Sequence, residues 1–219
     1  TRQGIVKRIS LNAYNTARKG GLIALELNEG DELAWVRLTD GNQQVVVATK
    51  NGLAIRFEET DVRPMGRQAR GVKAISLREG DCVVGMCVVT NDDLILTASE
   101  TGFGRISNVS DYRLQSRGGK GITNYHTEKY GNVAAVSVVE LTDDIIIISQ
   151  EGVIIRIAAD TVRICNRPSK GVTLMRIGEN DKVVTVARAP HEDSSKEETS
   201  EEVSEDNTAE MSKEENTEE

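Results

Sequence analysis

Three arginines stand 50 residues apart, Arg63, Arg113 and Arg163, and Arg67, Arg117 and Arg167 repeat the step four residues further on. Arg70, Lys120 and Lys170 form a third series, each directly before a glycine (Gly71, Gly121, Gly171). A shortened first copy offers Arg18 and Lys19 in the same place. Two or three cations on one recurring loop, beside glycines that let a ligand approach the backbone, suit the gripping of anionic oxygens. One basic loop is an ordinary solvated surface. Equivalent loops on a repeating scaffold form a belt that matches a curving polyanion. Duplex DNA fits that description, because phosphate contacts supply much of its affinity and read no sequence. Few aromatic side chains lie in these loops, which argues against stacking on single-stranded bases.

The scaffold that positions the loops is itself visible as a repeat. Gly21, Gly71, Gly121 and Gly171 keep a step of 50, as do Gly52, Gly102 and Gly152, with Gly4 as the counterpart in a first copy two residues shorter. The copies run over about 1–48, 49–97, 98–148 and 149–189. Asn51-Gly52, Thr101-Gly102 and Glu151-Gly152 are hairpin signals, and Gly30-Asp31, Gly80-Asp81 and Thr90-Asn91-Asp92-Asp93 mark further turns. Between them lie short β-branched runs such as Val45-Val46-Val47 and Ile145–Ile148, with no sustained helical period. The expectation is an all-β, propeller-like array of about four four-stranded blades. The first copy starts inside a hairpin and the last stops near Ala189, so a piece of a longer array is expected.

Charge divides the chain in two. Residues 190–219 hold 13 Asp/Glu and 2 Lys, whereas residues 1–189 hold 25 Lys/Arg against 22 Asp/Glu. The acidic segment carries only Val203 and Met211 as large apolar residues, so a disordered tail is expected there. Such a tail either solubilises the protein or competes with DNA for the basic rim. No apolar run approaches a membrane span, and three unevenly spaced cysteines suggest a reducing compartment, so a cytoplasmic, nucleoid-associated protein is expected. Catalytic chemistry has little to draw on. Cys82, Cys87 and Cys165 lack zinc-ligand spacing, and neither His126 nor His191 completes a Cys/His ligand pattern. Gly118-Gly119-Lys120-Gly121 lacks the upstream Gly and the following Ser/Thr of a P-loop.

The stretch Gln115-Ser116-Arg117-Gly118-Gly119-Lys120-Gly121 resembles the signature box of the C-terminal domain of bacterial DNA gyrase A. Ser116 departs from the arginine usual at that position, and the box-like loop lies in the third visible copy rather than the first, so the principal box is expected upstream. The resemblance covers residues 1–189 and implies a β-pinwheel, in which neighbouring blades exchange strands. It also implies that duplex DNA bends around the basic rim, enabling ATP-dependent negative supercoiling by a complex with the rest of gyrase A and with gyrase B. No cofactor and no catalysis are expected in this segment. ATP and magnesium belong to other parts of a type IIA topoisomerase. Bending 20–30 base pairs costs about 1–6 kcal/mol, which favours several blades acting together. The alternatives are the corresponding C-terminal domain of topoisomerase IV and a protein-interaction propeller.

Overall fold

The computed structural model describes residues 1–15 and 20–191. Arg18, Lys19 and the acidic segment after His191 lie outside them. Among the described residues thirteen strands follow one another: β1 (Ile5–Val6), β2 (Gln44–Thr49), β3 (Leu53–Glu58), β4 (Val72–Lys73), β5 (Val83–Val89), β6 (Leu94–Ser99) and β7 (Phe103–Asn108). Then come β8 (Ile122–Thr123), β9 (Val133–Val139), β10 (Asp143–Ser149), β11 (Ile154–Ala158), β12 (Val172–Thr173) and β13 (Val183–Pro190). Among the described residues, the one α-helix is the single turn α1 (Thr127–Tyr130).

The hairpins β2–β3, β6–β7 and β10–β11 form at the three predicted turns, and each adds an antiparallel third strand: β5 on β2, β9 on β6, β13 on β10. The three added strands shift register at the same place, after Ala48, Ala98 and Ile148. The fourth strand of a sheet comes from the following copy. β8 pairs with β3, β12 pairs with β7, and β4 pairs with β1. Strands are therefore exchanged between neighbouring blades, as the pinwheel expectation requires.

The sheets have two, four, four and three strands, so two of the four blades are complete. The structural unit also straddles the sequence repeat: the sheet β5-β2-β3-β8 draws on three successive copies. Residues 32–38, which stand one copy before β5, remain irregular. Among the described residues no strand lies beside them as β2 lies beside β5, and a strand needs such a ladder to satisfy its backbone groups. The last strand runs through Pro190, one residue into the segment expected to be disordered.

Central strands are buried on both faces, which explains why their sequences read as continuous apolar runs. Val45 and Val47 of β2 enter one core with Ile55, Phe57, Ile75 and Val83. Val46 and Ala48 enter the next, with Ile95, Tyr112, Tyr125 and Val136. A third core gathers Leu96, Ile106, Ile145, Ile147 and Met175. Each core thus fills a seam between sheets. Strands β5, β9 and β13 line one cavity of about 760 Å³ on one side, while β4, β8 and β12 sit at the opposite edges of their sheets. The basic loops lead directly into those outer-edge strands and so lie on the perimeter.

Candidate nucleic-acid interface

Each basic loop is tacked near its start to a backbone carbonyl of the blade before it. The amide of Met65 donates to the Arg8 carbonyl (2.9 Å), Gln115 to Arg56 (2.8 Å) and Cys165 to Ile106 (2.8 Å). In the box-like loop the Gly118 amide donates to the Ala74 carbonyl (2.6 Å), and the Gly119 carbonyl accepts from the Ser76 amide (2.8 Å). Gly71, Gly121 and Gly171, which end the three described loops, do not leave room for a ligand, as the sequence suggested. They leave room for protein. Gly121 has φ +75° and a Cβ there would stand 2.5 Å from the Ala54 carbonyl oxygen; Gly71 has φ +101° with the Val6 oxygen 2.6 Å away. Close approach between blades, needed for strand exchange, selects glycine at these sites.

The three cation series separate by geometry. Arg63, Arg113 and Arg163 are exposed. Arg113 makes a weak contact with Gln115 of its own loop, 3.5 Å from Nη2 to Oε1. Arg70, Lys120 and Lys170 are also exposed. Arg70 pairs with exposed Glu26 at 2.8 Å, a contact of the kind worth at most about 1 kcal/mol and easily exchanged for another anion. Lys170 lays its ammonium 3.5 Å from the centroid of the Phe103 ring, and its carbonyl accepts from the Tyr125 hydroxyl at 3.0 Å.

Arg67, Arg117 and Arg167 are half-buried. Arg117 donates from Nε to the Asp61 carbonyl (2.9 Å) and from Nη1 to the Lys73 carbonyl (3.3 Å). Arg167 repeats the pattern with Asp111 (2.8 Å) and Thr123 (2.6 Å), and its guanidinium lies 4.9 Å from the Tyr112 ring centroid.

A further recurring cation escaped the sequence reading. Arg8, Arg56 and Arg156 each lie four residues after a hairpin glycine, a spacing that the repeat makes visible once the hairpins are aligned. Arg56 is 4% exposed and donates to the carbonyls of Val109 (2.9 Å) and Tyr112 (3.1 Å) on the next blade, with Gln44 and Asn91 as further partners. The third copy has Ile106 there, and Arg105, one residue earlier, takes up an interior role. Fully buried, it donates to the Asn124 carbonyl (2.5 Å) and Oδ1 (3.2 Å), and Tyr112 adds its hydroxyl to the same Oδ1 (2.6 Å). Burial pushes the Arg56 and Arg105 guanidinium groups below their ordinary value.

The cysteines are free, and burial pushes the Cys87 thiol up to about 11, which leaves it a neutral core group at pH 7. Among the described residues no cluster of three His, Cys, Asp or Glu side chains could hold a metal ion. No described helix is long and apolar enough to cross a membrane.

A family model described as the DNA gyrase C-terminal domain, beta-propeller, matches residues 1–40, 43–89, 93–140 and 143–190, one match per copy. The DNA gyrase A protein of Halalkalibacterium halodurans is 58% identical over 73 residues, which are 33% of this chain and 9% of that protein. Its counterpart in Clostridium acetobutylicum is 52% identical over 73 residues, again 33% of this chain and 9% of that protein. The matched stretch is thus a small part of either relative. A solved C-terminal domain of DNA topoisomerase IV superposes with a TM-score of 0.81 at 27% identity, covering 86% of this chain and 60% of that one. A solved DNA gyrase A C-terminal domain gives a TM-score of 0.75 at 27% identity, covering 86% and 63%.

Proposed function

This chain belongs to the DNA gyrase C-terminal domain family, and on that premise we propose that its perimeter binds and wraps duplex DNA without marked sequence preference. The observation that carries the reading is the exposure of the two outward series. Arg63, Arg113 and Arg163, with Arg70, Lys120 and Lys170, stand on three equivalent loops at the outer edges of successive sheets. Their protein contacts are exposed and local, Arg70 with Glu26, Lys170 with the Phe103 ring and Arg113 with Gln115, and a phosphate backbone passing from loop to loop would meet one cluster per blade. Arg67, Arg117 and Arg167 lie beside them and add to the positive field. Arg18 and Lys19, outside the described residues, belong to the first such loop by sequence. Within about 8 Å at physiological salt these charges act on phosphates largely unscreened, and each phosphate neutralised releases counterions.

In this reading the domain serves a type IIA topoisomerase made with the rest of gyrase A and with gyrase B, and the wrap presents a positively handed crossing for strand passage. The chain supplies curvature and charge. Cleavage and ATP hydrolysis are the work of other parts of the complex. The likeness to a topoisomerase IV domain supports one rival, a DNA-contacting module of the same build that bends DNA without chiral wrapping.

Ligation of nicked circular DNA in the presence of the protein tests the proposal. A positive linking-number shift that grows with protein and fades with salt is the expected result. Binding without a shift would favour the topoisomerase IV type of module. Absence of binding at low salt would favour a protein-interaction propeller.

A further inference from the structure

Two half-buried arginines of the rim, Arg117 and Arg167, bond to the preceding loop. Asp61 closes the short turn Glu59–Asp61 at the entry of the loop that contains Arg63 and Arg67, and Lys73 lies in β4 at its exit. Arg117, from the next loop, donates to the carbonyls of both residues. Asp111 and Thr123 stand in the same way at the entry and exit of the box-like loop, and Arg167 of the following loop donates to both. Each of these guanidinium groups closes the base of the loop before it. A planar fork with donors on two sides holds two carbonyls in a fixed relative geometry, which a lysine ammonium on a flexible stem does not impose.

From this geometry we infer that Arg117 and Arg167 are positioning residues that couple the rim loops in series, each loop fixing the one before it. The inference deepens the DNA-wrapping reading and rests on it for its functional consequence. Arg117 holds Arg63 and Arg70 in place through the loop between Asp61 and Lys73; Arg167 holds Arg113 and Lys120 through the box-like loop. The coupling has a direction, from later loops to earlier ones, because acceptors and donor always belong to consecutive copies in that order. Stacking of the Arg167 guanidinium on Tyr112, whose hydroxyl is bonded to Asn124, ties the same clamp to the core of the seam. The path offered to DNA then depends on a chain of clamps as well as on the number of charges.

The charge-preserving substitutions Arg167→Lys and Arg117→Lys separate this role from direct phosphate contact. Amide hydrogen exchange would be followed in the protein without DNA, together with affinity for a duplex of about one helical turn, too short to wrap, and the linking-number shift. For Arg167→Lys, exchange should rise about tenfold across residues 112–123 while the loop at 162–171 changes less. For Arg117→Lys the rise should fall on residues 62–73. Short-duplex affinity should stay within about twofold, since the charge is retained, while the linking-number shift falls. Unchanged exchange in the preceding loop would overturn the inference, and so would loosening confined to the substituted loop. A lost shift with unchanged exchange would overturn it too. Should the wild-type protein give no shift, the wrapping reading fails, and the loop coupling is then judged by exchange alone.

Discussion

Arg56 and Arg113 are separated by less than one blade in the fold, yet they use the same side chain for opposite purposes. In the seam, Arg56 and Arg105 are 4% and 0% exposed, and each donates to a protein carbonyl across the seam, Arg56 to Val109 and Tyr112 and Arg105 to Asn124. On the rim, Arg113 and Lys120 extend into solvent from a loop whose backbone is already held by other groups. Arg117 and Arg167 stand between the two, half-buried and bonded to backbone. The comparison teaches that periodic recurrence of a cation reports the symmetry of the scaffold and does not by itself report a ligand. The discriminating quantity is whether the guanidinium has acceptors supplied by the protein.

If seam and rim differ in this way, seam changes should cost stability and rim changes should cost DNA affinity. The largest effect is expected for Gly121→Ala, which places a Cβ against the Ala54 carbonyl at a positive φ. Chemical denaturation should show a loss of about 3 kcal/mol or more. Gly152→Ala is its control, with φ +85° and open space around the added carbon, and should cost about 1 kcal/mol. Asn124→Ala comes next. It removes the Oδ1 acceptor shared by Arg105 and Tyr112 inside the seam, with an expected loss of about 2–3 kcal/mol. A cost near zero would mean that the buried network contributes little.

On the rim, Arg113→Gln and Arg163→Gln should leave the denaturation midpoint within about 0.5 kcal/mol of wild type. Each should reduce the slope of log affinity against log salt by about 1. A destabilised protein with an unchanged slope would place these arginines with the seam.

The repeat, the turns, the strand-rich class and the loops' placement were legible because they depend on glycine and β-branched residues at fixed spacing. The exchange of β4, β8 and β12 came from the family resemblance and not from the residues themselves: a two-residue strand such as Ile122–Thr123 carries no periodicity. The division of the arginines was less legible still. Arg113 and Arg117 look alike in sequence, and their difference lies in carbonyls contributed by the preceding copy. Arg56 sits among apolar neighbours, Leu53, Ala54, Ile55 and Phe57, in the strand Leu53–Glu58. Its recurrence four residues after the hairpin glycine, in copies with Arg8 and Arg156, was the available signal.

The smallest effect concerns acid. Burial pushes Glu59 upward, but hydrogen bonds from Thr39 and from the amides of Gln43 and Gly41, with Arg8 nearby, outweigh it and hold the carboxyl below its ordinary value of 4.5. A carboxylate lowered in the folded state contributes stability that is complete above the ordinary value and lost as pH falls through the folded one. Glu59→Gln should therefore flatten the acid limb of the stability–pH curve. An unaltered limb would assign the acid sensitivity to other groups.

The most direct test of the outward-cation account neutralises Arg63, Arg70, Arg113, Lys120, Arg163 and Lys170 together as glutamines and measures duplex affinity over a salt series. The account predicts an intact fold with the unfolding midpoint of the wild type, a nearly flat salt dependence and no linking-number shift. A folded variant that still binds and wraps DNA as the wild type does would contradict it.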